Sequence, residues 1–218
     1  MGFHDQIMGQ VRDTILHTAE VTHEWLIPSV LCVMGYYLLR YFFVTQWDDV
    51  LYRACKEGNL TNAQKAIRNR ANLEVTKPPR ELTPLMIAAL QNNLPILSQL
   101  LAAGAKTEAR DEEGRTCLML AAQKGHVDSV QALLAKGADP TAKSFDGWTA
   151  LIVACYAGQT EIVHILLARC ADVKWRTKQG MNALAISVGQ HHMPGGRMKI
   201  IKMLLSNDAK VCQAHGTF

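Results

Sequence analysis

Between Trp25 and Val44 the chain runs for 20 residues with Arg40 as its only charge. A helix rising about 1.5 Å per residue covers about 30 Å over such a run, the thickness of bilayer hydrocarbon, and predicts a transmembrane helix over 25–47. Trp25 and Trp47 bracket the run, and Tyr36, Tyr37 and Tyr41 lie toward its C-terminal side, as aromatic rings held at headgroup level do. Arg40 sits four residues from the end of the run. Its stem can lie along apolar surface while the guanidinium reaches the interface, or it can pair with an acidic residue or a lipid phosphate; both readings stay open. Membrane lipid is the expected surrounding of residues 25–47.

Upstream, Phe3, Ile7, Val11 and Ile15 recur every four residues with Met8 beside them, and Asp5, Arg12, Asp13 and Glu20 fall off that stripe. This pattern predicts an amphipathic helix within residues 1–24. Pro28 removes a backbone donor and bends the junction with the span. Four acidic residues against one Arg in this lead disfavour a cleaved mitochondrial presequence, so the segment is expected to be retained. Arg12 precedes the span, whereas Arg40, Arg53 and Lys56 crowd its far end, which places the C-terminal bulk on the cytosolic or matrix side.

Past residue 48 the apolar pattern repeats. Thr83-Pro84-Leu85-Met86, Thr116-Cys117-Leu118-Met119, Thr149-Ala150-Leu151-Ile152 and Asn182-Ala183-Leu184-Ala185 begin at intervals of 33, as do Gly114, Gly147 and Gly180. The same register holds Ala88-Ala89, Ala121-Ala122 and Ala154-Cys155, then Leu100-Leu101, Leu133-Leu134 and Leu166-Leu167, then Gly104-Ala105, Gly137-Ala138 and Cys170-Ala171. An earlier unit with Leu51, Ala54-Cys55 and Ala66-Ile67 stands 34 residues ahead, and a last one with Ile200-Ile201 and Leu204-Leu205 follows an insertion of five. Small residues at the paired Ala positions let neighbouring first helices approach, and the paired Leu positions fill the layer between.

A 33-residue period carrying these markers resembles the ankyrin repeat. The resemblance implies an all-α fold: a solenoid of helix-turn-helix pairs joined by hairpin loops, preceded by the amphipathic helix and one transmembrane helix. Five units are expected at 48–77, 78–110, 111–143, 144–176 and 177–214, with a tail at 215–218. Asp48 or Asp49 is expected to cap the first repeat helix, leaving about four residues between array and span. The family's Thr-Pro-Leu-His box has Met86, Met119, Ile152 or Ala185 in place of His, which exchanges hydrogen bonds for apolar packing. His126 matches the family's Gly-His position and is structural by that match.

Composition refines this picture. Eight of the 14 aromatic residues, from Trp25 to Tyr52, fall within 28 positions, so the neutral mean hydropathy averages a greasy segment with a polar remainder. The net charge of +4 divides as −3 over residues 1–24, +1 at Arg40 and +6 thinly spread beyond, which excludes nucleic acid as the implied partner. Cys32, Cys55, Cys117, Cys155, Cys170 and Cys212 lack metal-ligand spacing and read as reduced, apolar packing residues. No catalytic constellation, phosphate loop, cofactor motif or small-molecule site emerges, and His191-His192 lack nearby ligands at metal-binding spacing.

The resemblance implies binding of other proteins through hairpin tips and the exposed side of the first helices. The positions so mapped include Arg80, Leu82, Leu90, Glu112, Glu113, Arg115 and Gln123. The later units add Phe145, Asp146, Trp148, Tyr156, Lys178, Gln179 and Met181, with Trp175 in the loop that follows the fourth. Phe145, Trp148 and Tyr156 form the expected centre of a partner-binding site, with Trp175, Asp146, Arg115 and Lys178 around it. The alternative is that Trp148 and Phe145 fold back on adjacent hairpins and staple the array. The expected role is a non-enzymatic accessory or scaffold subunit of a large membrane complex, such as a mitochondrial inner-membrane respiratory assembly. A membrane-tethered adaptor that recruits a cytosolic partner to the concave face is the second possibility.

Overall fold

The computed structural model describes residues 46–169, 171–189 and 194–214. The amphipathic lead at 1–24, the apolar run with Trp25 and Arg40, His191, His192 and the tail at 215–218 lie outside the described residues. Among the described residues no helix is long and apolar enough to cross a membrane. The chain divides into two units, Met1–Gln46 and Trp47–Phe218.

The second unit is all-helical among its described residues. Ten helices follow in five antiparallel pairs: α1 (46–57) with α2 (Leu60–Arg68), α3 (Pro84–Leu90) with α4 (Leu94–Ala102), and α5 (Cys117–Lys124) with α6 (Val127–Ala135). Then come α7 (Ala150–Tyr156) with α8 (Thr160–Ala168), and α9 (Ala183–Gly189) with α10 (Pro194–Ala214). The first helices α3, α5, α7 and α9 stack in one row and the second helices in another, so each pair touches the pair before and after it.

The local chemistry explains the short helices. Thr83 and Thr149 cap α3 and α7, their hydroxyls accepting from the N–H groups of Met86 and Ile152 at 3.4 Å. Asn59 and Asn93 do the same for α2 and α4. Glycines in the left-handed region stop the second helices, with Gly104 at φ +91° and Gly137 at +85°. Ala88, Ala89, Ala121, Ala122 and Ala154 are buried where first helices meet, and Leu100, Leu133 and Leu166 fill the layer behind them. Met86, Met119 and Ile152 are fully buried, so the apolar variants of the box pack as their composition implies. His126 bridges pairs instead: its Nε2 lies 2.9 Å from the carbonyl oxygen of Leu90.

Two expectations need correction. Residues 46–57 are already helical, so neither Asp48 nor Asp49 caps α1, and the described part of the expected linker, residues 46–48, is helix. Asp48 instead accepts from the Asn72 N–H at 2.6 Å, and Asp49 pairs with Lys77. Trp47, expected at the far end of the span, lies on α1 and is half-buried against the core of the array. At the far end of the described array, α10 runs to Ala214 across Asp208-Ala209, the counterpart of Gly137-Ala138.

Arg70, Glu81 and Asn92 hold positive φ, at +59°, +48° and +54°, in register with Gly104, Gly114 and Gly125. An L-residue pays roughly 1–2 kcal/mol for that conformation, more than the roughly 0.5–1 kcal/mol of chain entropy that glycine loses. Glu81→Gly should therefore raise the thermal midpoint of the array, by the equivalent of about 0.5–1 kcal/mol, measurable by thermal denaturation.

Candidate functional site

The hairpin tips are built the same way three times. Gly114 N donates to Asp111 O at 2.9 Å, Gly147 N to Ser144 O at 3.0 Å and Gly180 N to Thr177 O at 2.8 Å. Each glycine has φ between +73° and +78°, which a tight turn of this kind requires. The residue opening each tip also closes it with its side chain. Asp111 Oδ1 accepts from Arg115 N at 2.8 Å, Ser144 Oγ from Trp148 N at 3.1 Å and Thr177 Oγ1 from Met181 N at 3.3 Å. The 33-residue period places Asp, Ser and Thr at one job; their differing chemistry hides it from inspection of the sequence.

Neighbouring tips are tied to one another. Phe145 N donates to Glu113 O and Lys178 N to Asp146 O, both at 3.1 Å. Arg110 reaches Gly114 O at 2.8 Å and also bonds the Lys143 carbonyl on the next hairpin. The tips therefore form one continuous ledge, and side chains at equivalent positions stand side by side along it.

On that ledge the fourth tip carries the aromatic cluster. Trp148 is half-buried against the core and meets Tyr156 edge to face, centroids 5.5 Å apart and planes at 87°. Tyr156, at the end of α7, remains 50% exposed and Phe145 59%. The Phe145 ring leans over Gly114, where an added Cβ would lie 2.7 Å from its Cδ1. Phe145 thus both fastens to the preceding hairpin and presents a ring face to solvent. Met181, in register with Trp148, is also exposed and extends the apolar strip into the fifth tip.

The remaining expected site residues divide. Asp146 and Lys178 are exposed beside the cluster. Arg115 is turned inward: its guanidinium pairs with Asp111 Oδ2 and with Glu113 Oε2, each at 2.9 Å, and its side chain is 19% exposed. Trp175 is half-buried, donates from Nε1 to Gly147 O at 2.8 Å and carries the Lys143 ammonium 3.2 Å above its ring. Both polar capacity and one face of Trp175 are spent within the array. Of the other mapped positions, Arg80, Glu112, Gln123 and Gln179 are exposed, while Leu82 and Leu90 pack against the core.

Reactive chemistry is not offered by the described thiols. Cys55, Cys117 and Cys155 are free and buried. Burial pushes Cys55 and Cys155 up to about 12 from 9.0, a hydrogen bond from Ser187 partly opposing it at Cys155. Burial raises Cys117 as well, with the charge of Glu108 adding to it. Among the described residues, no group of three or more His, Cys, Asp or Glu side chains could hold a metal ion.

The family model described as ankyrin repeats (3 copies) matches residues 51–144 and again 141–215, well over half of the chain. No curated protein matches the sequence.

Two outcomes follow from this geometry. Asp111 is buried and accepts from two backbone N–H groups and a guanidinium, so Asp111→Ala should destabilise the array by about 2–3 kcal/mol in urea unfolding, whereas Asp111→Asn keeps the backbone bonds and loses less. The raised thiols stay protonated in the folded chain through the range where unfolded thiols ionise. Their contribution to stability is complete below pH 9 and is lost as pH rises toward 12, and alkylation at pH 8 followed by peptide mass analysis should leave Cys55, Cys117 and Cys155 unmodified.

Proposed function

We infer that this chain, which belongs to the ankyrin-repeat family, is a non-enzymatic protein–protein interaction subunit whose partner docks on the tip ledge of the fourth and fifth helix pairs. One observation carries the reading: Phe145 and Tyr156 stay more than half or half exposed although Trp148 and the core lie beside them. Aromatic rings standing on a rigid, hydrogen-bonded ledge are the side chains that dominate interface energetics. Asp146 and Lys178 supply a charged rim of both signs, which sets orientation more than affinity.

The finer proposal is an accessory or scaffold subunit of a large multi-subunit membrane complex, the mitochondrial inner membrane being the leading location. The support is in the sequence: the 20-residue apolar run with Arg40 as its only charge, and an N-terminal lead poor in the basic residues of a cleaved presequence. The ledge would then lie on the matrix or cytosolic side. Mild-detergent native electrophoresis tests this, since an accessory subunit comigrates with one large assembly, whereas predominantly free chain would favour an adaptor that recruits a cytosolic partner. Resistance to alkaline carbonate extraction is the expected companion result for the membrane run.

The ledge has its own test. Phe145→Ser with Tyr156→Ser, both at exposed positions, should lower the melting temperature by no more than about 5 °C, leaving the array folded, and reduce partner affinity by roughly a hundredfold. Unchanged co-purification of the double variant would remove the ledge from the interface.

A further inference from the structure

The first helix pair is charged unlike those that follow it. Arg53, Lys56, Lys65, Arg68 and Arg70 are all exposed. None of the next three pairs carries a charge at any of these five positions: Ile87, Leu120 and Val153 stand for Arg53, and Gly104 and Gly137 for Arg70. A terminal repeat needs a polar outer face for solubility, but side chains of either sign would supply it, and here all five are cations. Arg70 also holds φ at +59°, the left-handed conformation that glycine takes in the later pairs, so a positive charge is kept where another residue fits better.

The acidic side chains of the pair do not answer these cations. Asp49 pairs with Lys77, Asp48 Oδ1 accepts from Asn72 N at 2.6 Å, and Glu74 Oε1 accepts from Lys106 N at 2.8 Å. Among the described residues no ion pair joins any of the five to a carboxylate, and Glu57 is the one acid of the pair not engaged elsewhere. A helix dipole accounts for basic residues in a last turn, as Lys65 and Arg68 are in α2, but not for Arg53 in the middle of α1. The bond from Asn72 N to Asp48 holds the segment leaving α2 beside the start of α1, so Arg68 and Arg70 stand at the end of the pair where α1 begins. In sequence, the apolar run ends at Val44, two residues before the described start of α1.

We propose that the cations of the first helix pair bind the phosphate groups of anionic lipids, holding the array on the headgroup surface of the membrane that the apolar run enters. This rests on the membrane reading given above and adds a lipid class and a binding face to it. Guanidinium and ammonium groups donate charge-assisted hydrogen bonds to phosphate oxygens, and a cluster of about four to eight Lys and Arg next to a span is what an anionic leaflet attracts. The other negative charge at hand is the chain's own lead, residues 1–24, with a net charge of −3. Phe145 and Tyr156 lie on the fourth pair and take no part, so lipid and a protein partner can be held together.

Lysine acetylation of the full chain, reconstituted into vesicles of phosphatidylcholine alone or mixed with phosphatidylserine and read by peptide mass analysis, tests the proposal. Lys56 and Lys65 should react roughly fivefold more slowly in the mixed vesicles, with exposed Lys124 on the third pair reacting alike in both. The difference should vanish in about 1 M salt. Arg53→Gln with Arg68→Gln and Arg70→Gly should bring the two vesicle types within about twofold, the melting temperature staying within about 5 °C because all three positions are exposed and glycine fits the left-handed one. Equal rates in the two vesicle types overturn the proposal. So does slowing relative to Lys124 already present in phosphatidylcholine, which would give the cations to the acidic lead, or slowing there on adding inorganic phosphate, which would make this a site for soluble anions. Alkaline carbonate extraction separates the two readings: a chain retained by both vesicle types but labelled alike fails this proposal alone, whereas a chain released from both fails the membrane reading with it.

Discussion

Everything in the described structure depends on one constraint: a helix pair of this size cannot bury its own apolar faces and must cover them with the pair on either side. The first helices are seven to twelve residues long, too short to persist alone in water. They become stable because Ala88, Ala89, Ala121, Ala122 and Ala154 allow close approach, while Leu100, Leu133 and Leu166 fill the space behind. Stability is therefore built by nearest-neighbour contact, and the ends of the array are where the constraint is not satisfied internally.

The ledge of hairpin tips is a by-product of the same stacking. Each pair sits one period from the last, so backbone groups at equivalent tip positions fall within hydrogen-bond reach, as Phe145 N does of Glu113 O and Lys178 N of Asp146 O. A rigid ledge lets exposed rings bind without first being ordered, which lowers the entropy lost on association. Trp175 and Arg115 contribute differently from Phe145 and Tyr156. The first two are engaged inside the array and hold its surface in shape; the second two remain available to a partner.

Much of this was legible in the chain. Glycines, paired alanines and paired leucines recur at a fixed period because each does one steric job that few residue types can do. The tip-closing positions were not, because Asp111, Ser144 and Thr177 share only an oxygen acceptor at a suitable distance. Left-handed positions were also hidden where Arg70, Glu81 and Asn92 replace glycine. Trp47 was read as an aromatic bracket at the far end of the apolar run, because position in the chain cannot tell a ring facing headgroups from one packed on a helix pair.

By itself the sequence determined the repeat, its period, its helix stops and which positions are small or apolar, because these follow from local sterics and from the spacing of like residues. Only the tertiary structure decided which aromatic side chains stay exposed and which charges are spent on internal pairs. Exposure is a property of what lies across from a residue. Val188 and Cys155 hold the same place in their repeats, and they differ because only one of them has a following pair to cover it among the described residues.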